Sequence, residues 1–189
     1  RSTGQGPRIL DWWATRKDDL IEMAQANGPC FAIDPNSVDS AAAALNKMTA
    51  LGRRFYAIKA NAHPDILRRL HAAGFGFETV SPGEIDHVRS LFPDLPKERL
   101  LYTPNFAPKG DYAHGFAANA MVTVDNLHPL EHWPEVFDGR EILLRIDPGK
   151  GRGHHAHVRT AGSQSKFGIG PDELDAVSNA VAKANATVF

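Results

Sequence analysis

The stretch Phe55-Tyr56-Ala57-Ile58-Lys59-Ala60-Asn61-Ala62-His63-Pro64 ends an apolar, strand-like run on a single lysine and turns at once into a helix start. In a βα unit that lysine stands at the carboxyl end of a strand, where barrels built from such units keep their chemistry. A lysine that is partly desolvated there has a lowered pKa and forms imines with carbonyl groups. Position alone does not separate it from a solvated surface lysine, because lysine is almost never fully buried unless paired. The surrounding sequence has to decide.

Upstream, apolar residues at helical spacing predict a helix over residues 9–26, closed by Gly28-Pro29. A short strand, Cys30 to Ile33, follows, and Asp34-Pro35-Asn36-Ser37 caps a helix from about Val38 to Leu51. The strand Arg54 to Lys59 comes next. Downstream the pattern repeats as helix Pro64 to Ala73, strand Phe75 to Val80, helix Pro82 to Leu91 and strand Leu100 to Tyr102. It continues with a helix near Pro108 to Ala117, strand Met121 to Val124, helix Leu127 to His132 and strand Ile142 to Ile146. After a long loop, a helix from Pro171 to Ala184 leads into the start of a further strand, Thr187-Val188-Phe189. Five strands and the beginning of a sixth, alternating with helices over short connections, suit an incomplete (β/α)8 barrel or an open doubly wound sheet. No G-x-G-x-x-G follows a strand, which argues against dinucleotide binding.

The chain of 189 residues is 42% hydrophobic and 23% charged, with a formal net charge of -1, so no overall basic field invites nucleic acid or an anionic membrane. No apolar run approaches the roughly 18 to 20 residues of a membrane span, and the amino terminus lacks an apolar signal core. A cytoplasmic protein is expected. The one cysteine, Cys30, cannot form an internal disulfide and reads as a buried structural thiol. The start at Arg1 and the stop within a strand-like run read as an excerpt of a longer protein.

Three strand ends carry polar groups: Lys59, Glu78 with Ser81, and Arg145 with Asp147. In a barrel these converge. A carboxylate and a guanidinium beside the lysine suit an imine-forming site, since charged neighbours set its protonation and orient an anionic ligand. An ordinary Glu78–Arg145 ion pair across the rim is the competing, compatible reading. The loop Asp147 to His157 holds three glycines, two bases and three histidines. It reads as an anion nest, a metal site or a polar lid; without cysteine or carboxylate partners a metal is not expected, and a lid is the preferred reading. Lys166 is either a salt-bridge donor or a surface lysine. Trp12 and Trp13 read as packing, and Arg68-Arg69 and Lys97-Glu98-Arg99 as solvated faces.

Four segments in order, Tyr56 to Asn61, Phe77 to Glu84, Leu144 to Pro148 and Thr160 to Ile169, resemble the pyridoxal-phosphate decarboxylases of the ornithine/diaminopimelate/arginine group. The resemblance runs from roughly Gly28 to the end, and the loop leading to Ser165-Lys166-Phe167-Gly168 looks most like the diaminopimelate decarboxylases. It implies an alanine-racemase-type barrel with a β domain: residues 1–35 a lead, helix and strand joining that domain, residues 36–189 the first part of the barrel to about the sixth strand. It implies that Lys59 carries pyridoxal 5'-phosphate as an imine, with Glu78 and Arg145 on the cofactor side. The implied reaction takes meso-2,6-diaminopimelate to L-lysine and carbon dioxide in a homodimeric enzyme. An arginine or ornithine decarboxylase, a racemase and a non-catalytic pyridoxal-phosphate-binding barrel are the alternatives. Some similar decarboxylases are fused behind an aspartate kinase. The family's ring-stacking histidine, phosphate loop and partner cysteine are expected beyond Phe189, so residues 1–189 alone are expected to be inactive and poorly folded.

Overall fold

The computed structural model describes residues 11–148 and 167–189. The chain divides into two compact units, residues 1–47 and residues 48–189.

The first unit is helical: α1 Trp12–Thr15, α2 Lys17–Asn27 and α3 Pro35–Asn46. The helix expected over 9–26 is interrupted at Arg16, whose ψ of 22° is not helical. There the Thr15 hydroxyl donates to the Trp12 carbonyl at 2.8 Å, a side-chain bond that competes with the helical ladder. Residues Cys30 to Ile33 are not a strand, and Cys30 is exposed rather than a buried thiol, with Phe31 fully exposed beside it. A strand needs a neighbour to take its backbone hydrogen bonds, and the described part of this unit supplies none. Helix α3 starts three residues earlier than expected. Asp34 accepts from the backbone N–H of Asn36 at 3.3 Å and of Ser37 at 2.9 Å, which makes it the N-cap and leaves Pro35 the first helical position. It also stops at Asn46, before Leu51. Only Ala42 of this helix is buried, so no packing extends it.

The second unit is a parallel sheet wrapped by helices. Its strands are β1 Phe55–Ala57, β2 Gly76–Thr79, β3 Leu100–Tyr102, β4 Met121–Val124, β5 Glu141–Leu144 and β6 Thr187–Val188. Between them run α4 Pro64–Ala72, α5 Pro82–Leu91, α6 Lys109–Ala117, α7 His128–His132, α8 Pro134–Phe137 and α9 Leu174–Lys183. Every neighbouring pair is parallel, and the spatial order is β1-β2-β3-β4-β5-β6. A doubly wound sheet reverses its order at a switch point, whereas a barrel adds each strand on the same side. The sequential order therefore decides for part of a (β/α)8 barrel. Helix α8 is an element the sequence reading lacks, a single turn opened by Pro134.

Alternation along the strands assigns two faces. Phe77, Thr79, Leu100, Tyr102, Val122, Val124 and Ile142 are all buried, at most 1% exposed. Gly115 of α6 lets that helix lie close: a Cβ there would sit 2.8 Å from the Tyr102 ring. The helices carry Ile66, Leu67, Ile85, Val88 and Tyr112 into the same layer.

Candidate active site

The other face encloses a cavity of about 390 Å3 at the carboxyl ends of the strands, lined among others by Lys59, Glu78, Thr103, Asn105 and Arg145. Lys59, Glu78 and Arg145 thus meet at one place, whereas Ser81 and Asp147, the other polar residues at those strand ends, are not among its lining. Val80, Leu101, Thr123, Leu143 and Leu144 supply the rest of its wall.

Lys59 lies in a single 3-10 turn, Ile58–Ala60, that follows β1 directly. Ile58 is fully buried and fixes the turn in the wall, while Lys59 itself is exposed at the cavity. The sequence reading expects partial desolvation; with the cavity open beside it, the amine stays in contact with solvent. The chain then turns through a series of local bonds. Tyr56 Oη donates to the Asn61 carbonyl at 3.3 Å, Asn61 Oδ1 accepts from the His63 N–H at 2.9 Å, and His63 Nδ1 accepts from the Asp65 N–H at 3.2 Å. His63 so caps α4, with Pro64 at its first position. From α5, His87 Nε2 donates to the Ala62 carbonyl at 2.8 Å. The lysine is presented by a turn held on both sides.

Glu78 belongs to β2, where its half-buried carboxylate accepts a hydrogen bond from the Thr103 hydroxyl. Thr103 follows β3 immediately, and its N–H continues the ladder to the Thr79 carbonyl at 2.8 Å. Ser81, the other polar residue at that strand end, accepts from the Glu84 N–H at 3.3 Å as N-cap of α5, while Glu84 Oε2 accepts from the Val80 N–H at 2.6 Å. That arrangement is a helix cap, closely related to a capping box.

Arg145 follows β5. Its Nη1 donates to Asn105 Oδ1 at 2.7 Å, and its guanidinium carbon lies 4.6 Å from the centre of the Phe167 ring. Phe167 is carried there by a returning segment. Ile169 pairs with Ile146, with the Ile169 N–H on the Arg145 carbonyl and the Asp147 N–H on the Ile169 carbonyl, both at 2.8 Å. Gly168 sits between them at φ 84°, and a Cβ there would lie 3.0 Å from the Asp147 nitrogen. Only glycine satisfies both the left-handed backbone and that approach. Among the described residues no ion pair joins Glu78 to Arg145. Each is held by a different residue of the loop after β3.

Thr103 and Asn105 are the functional residues that sequence reasoning missed. In Thr103-Pro104-Asn105-Phe106 nothing but turn-forming composition is legible. The signal that finds Thr103 is its place immediately after β3, as Arg145 stands immediately after β5. The loop from Gly149 to His157, with its three histidines, and the segment Thr160 to Lys166 lie outside the described residues. No group of three metal-ligating side chains occurs among the described residues, and no described helix is long and apolar enough to cross a membrane.

The site can hold a small, anionic, carbonyl-bearing molecule. Its volume falls within the range of about 300 to 1,000 Å3 typical of small-molecule sites. It offers a primary amine in contact with solvent, a cation already fixed by two neighbours, and a carboxylate fixed by a hydroxyl.

Comparison with known proteins agrees with this chemistry. The family model described as "Pyridoxal-dependent decarboxylase, pyridoxal binding domain" matches residues 36–189. The diaminopimelate decarboxylase of Deinococcus radiodurans is 31% identical over 156 residues, covering 82% of this chain and 40% of the relative. That of Methanothermobacter thermautotrophicus is 35% identical over 157 residues, covering 80% and 36%. Among solved structures, diaminopimelate decarboxylase from Helicobacter pylori complexed with L-lysine superposes with a TM-score of 0.74 at 21% identity, covering 89% of this chain and 44% of that one. The fold is the same alanine-racemase-type barrel. The chain spans about two fifths of the length of the curated relatives it matches.

Proposed function

The chain belongs to the pyridoxal-dependent decarboxylase family, in its pyridoxal-binding domain, and from that premise we propose that the full-length protein decarboxylates meso-2,6-diaminopimelate to L-lysine. The observation that carries the reading is the convergence of Lys59, Glu78 and Arg145 on one cavity at the strand ends. The cavity fits the family's cofactor, pyridoxal phosphate, because an amine suits its aldehyde carbon and a fixed guanidinium suits an anionic group. When bound, that cofactor supplies an electron-withdrawing ring that takes up the electron pair left by departing carbon dioxide.

The chain's own residues have separate tasks. Lys59 Nζ would hold the cofactor through its aldehyde carbon and would be the amine placed to hold or move a proton at the reacting centre. Arg145, held in place by Asn105 and Phe167, contributes fixed positive charge without having to reorganise during the reaction. Glu78, held by Thr103, sets the opposite charge on the other side. Val80, Leu101 and Leu143 provide the apolar part of the cavity wall against which a ring would lie. The preference for diaminopimelate follows from the relatives at 31% and 35% identity, which carry that activity in their names. The reading extends to a homodimer in the cytoplasm, in which residues 1–35 lead into a β domain.

The test is carbon dioxide release by the full-length protein from meso-diaminopimelate, arginine and ornithine. Diaminopimelate is expected to react at least tenfold faster than the others. Preference for ornithine or arginine would move the protein within the family, and racemisation without gas release would overturn the decarboxylase reading. Replacing Lys59 by alanine should abolish the visible absorption of bound cofactor; persistent colour would refute the role of Lys59.

A further inference from the structure

Asp125, the residue after β4, is buried to 1% exposure and lies outside the cavity lining, so the proposed chemistry makes no use of it. Its carboxylate is nevertheless surrounded by donors. Oδ2 accepts from the Phe106 N–H at 3.2 Å, and Oδ1 accepts from Asn126 Nδ2 at 2.8 Å and from the Tyr112 hydroxyl at 3.4 Å. Burial, helped by the Asp125 charge, pushes the Tyr112 hydroxyl well above its ordinary value, so Tyr112 stays protonated and remains a donor. A buried carboxylate is costly unless its lone pairs are met in this way.

Phe106 is the informative partner. It has φ 49°, in the left-handed region that an aromatic residue rarely enters, and its ring is exposed. Such a conformation persists when surrounding bonds over-determine it, and here the bond comes from the buried Asp125. The residue before it is Asn105, whose Oδ1 holds Arg145. Two residues further back, Thr103 holds Glu78. The buried Asp125 side chain therefore pins the loop that holds Glu78 and Arg145.

We propose that Asp125 is a positioning residue for Arg145, acting through the strained Phe106 turn and Asn105 to set how the cavity presents its guanidinium to the anionic group of its ligand. This rests on the pyridoxal-phosphate reading above. The alternative is that Asp125 only secures α6 to the sheet through Tyr112.

The two are separated in the full-length protein by Asn105→Ala, Asp125→Asn and the double variant. Three quantities are measured: apoprotein melting temperature, pyridoxal phosphate affinity by titration of the apoprotein, and KM against kcat for the decarboxylated amino acid. An asparagine at 125 cannot accept from all three donors. Asp125→Asn is expected to lower the melting temperature and to weaken anion binding by roughly tenfold, the scale of one lost hydrogen bond to a charged group. Asn105→Ala, at an exposed position, should weaken the same binding step equally without moving the melting temperature. The double variant should bind no worse than Asp125→Asn, since both act through one path. A loss in cofactor affinity identifies the cofactor's phosphate as the anion, and a loss confined to KM identifies a substrate carboxylate; either supports the proposal. Unchanged binding in Asn105→Ala, or additive losses in the double variant, overturns it, and should Asp125→Asn fail to fold, the Asn105→Ala result alone still decides. If the wild-type apoprotein takes up no pyridoxal phosphate, the underlying reading fails and this one falls with it.

Discussion

The two faces of the same sheet differ in what they are made for. On the outer face, Phe77, Leu100, Tyr102, Val122 and Ile142 are at most 1% exposed. On the inner face, one residue out of step along the same strands, Glu78, Leu101, Leu143 and Arg145 are only partly buried and line an open cavity. Adjacent residues in the chain thus serve different ends. The outer face is where the described contacts hold the fold, because apolar area removed from water there contributes about 25 cal/mol per Å2. The inner face carries the groups that meet a ligand.

That contrast can be broken by measurement. Phe77 is fully buried and stacks on Phe92 at 5.3 Å between ring centres. Phe77→Ala should lower the unfolding free energy of the full-length protein by about 3 to 5 kcal/mol in urea titration. Leu101→Ala, on the cavity side of the next strand, should cost well under half as much and act on ligand affinity instead. Equal losses at the two positions would erase the distinction between the faces. A smaller effect is expected at the helix contact: Gly115→Ala places a methyl 2.8 Å from the Tyr102 ring and 3.2 Å from Val122 Cγ2. Overpacking of this kind costs about 1 to 3 kcal/mol, and an unchanged denaturation midpoint would show that Tyr102 moves aside freely.

The smallest effect concerns pH. His71, stacked on Phe92 at 4.4 Å, has its pKa lowered from 6.5, first by burial and then by the charge of Arg99. The unfolded chain therefore binds the proton before the folded one as pH falls. The contribution is complete above pH 6.5 and is lost progressively below it, towards the depressed folded value. Urea midpoints at pH 7.5 and pH 5.5 should differ less in His71→Gln than in the wild type; identical differences would remove His71 from the outer layer's pH response.

Most of the barrel was legible because periodicity is local. Strands β3 and β4 lie where the sequence reading places them, and Pro64, Pro82 and their caps mark helix starts correctly. The segment Cys30 to Ile33 was misread for the opposite reason. Its composition is strand-like, but pairing is a long-range event and the described residues offer it no partner. The candidate site was legible in its charged members, Lys59, Glu78 and Arg145, because charge at a strand end is conspicuous. Their uncharged holders, Thr103 and Asn105, and the buried Asp125 were not. Nothing in a Thr-Pro-Asn-Phe turn announces that its side chains bind groups from β2 and from the end of β5.

By itself the sequence determined the alternation of strand and helix, the lysine at the end of the first strand and the resemblance that this order of motifs carries. Those features depend on neighbours a few residues apart. The tertiary structure decided that the strands are added in sequential order, so that the sheet is barrel-like rather than doubly wound, and that Glu78 and Arg145 are held separately instead of pairing with each other. The physical reason is register: which strand ends face one another, and which buried carboxylate pins the loop between them, is fixed by hydrogen bonds and packing between segments far apart in the chain.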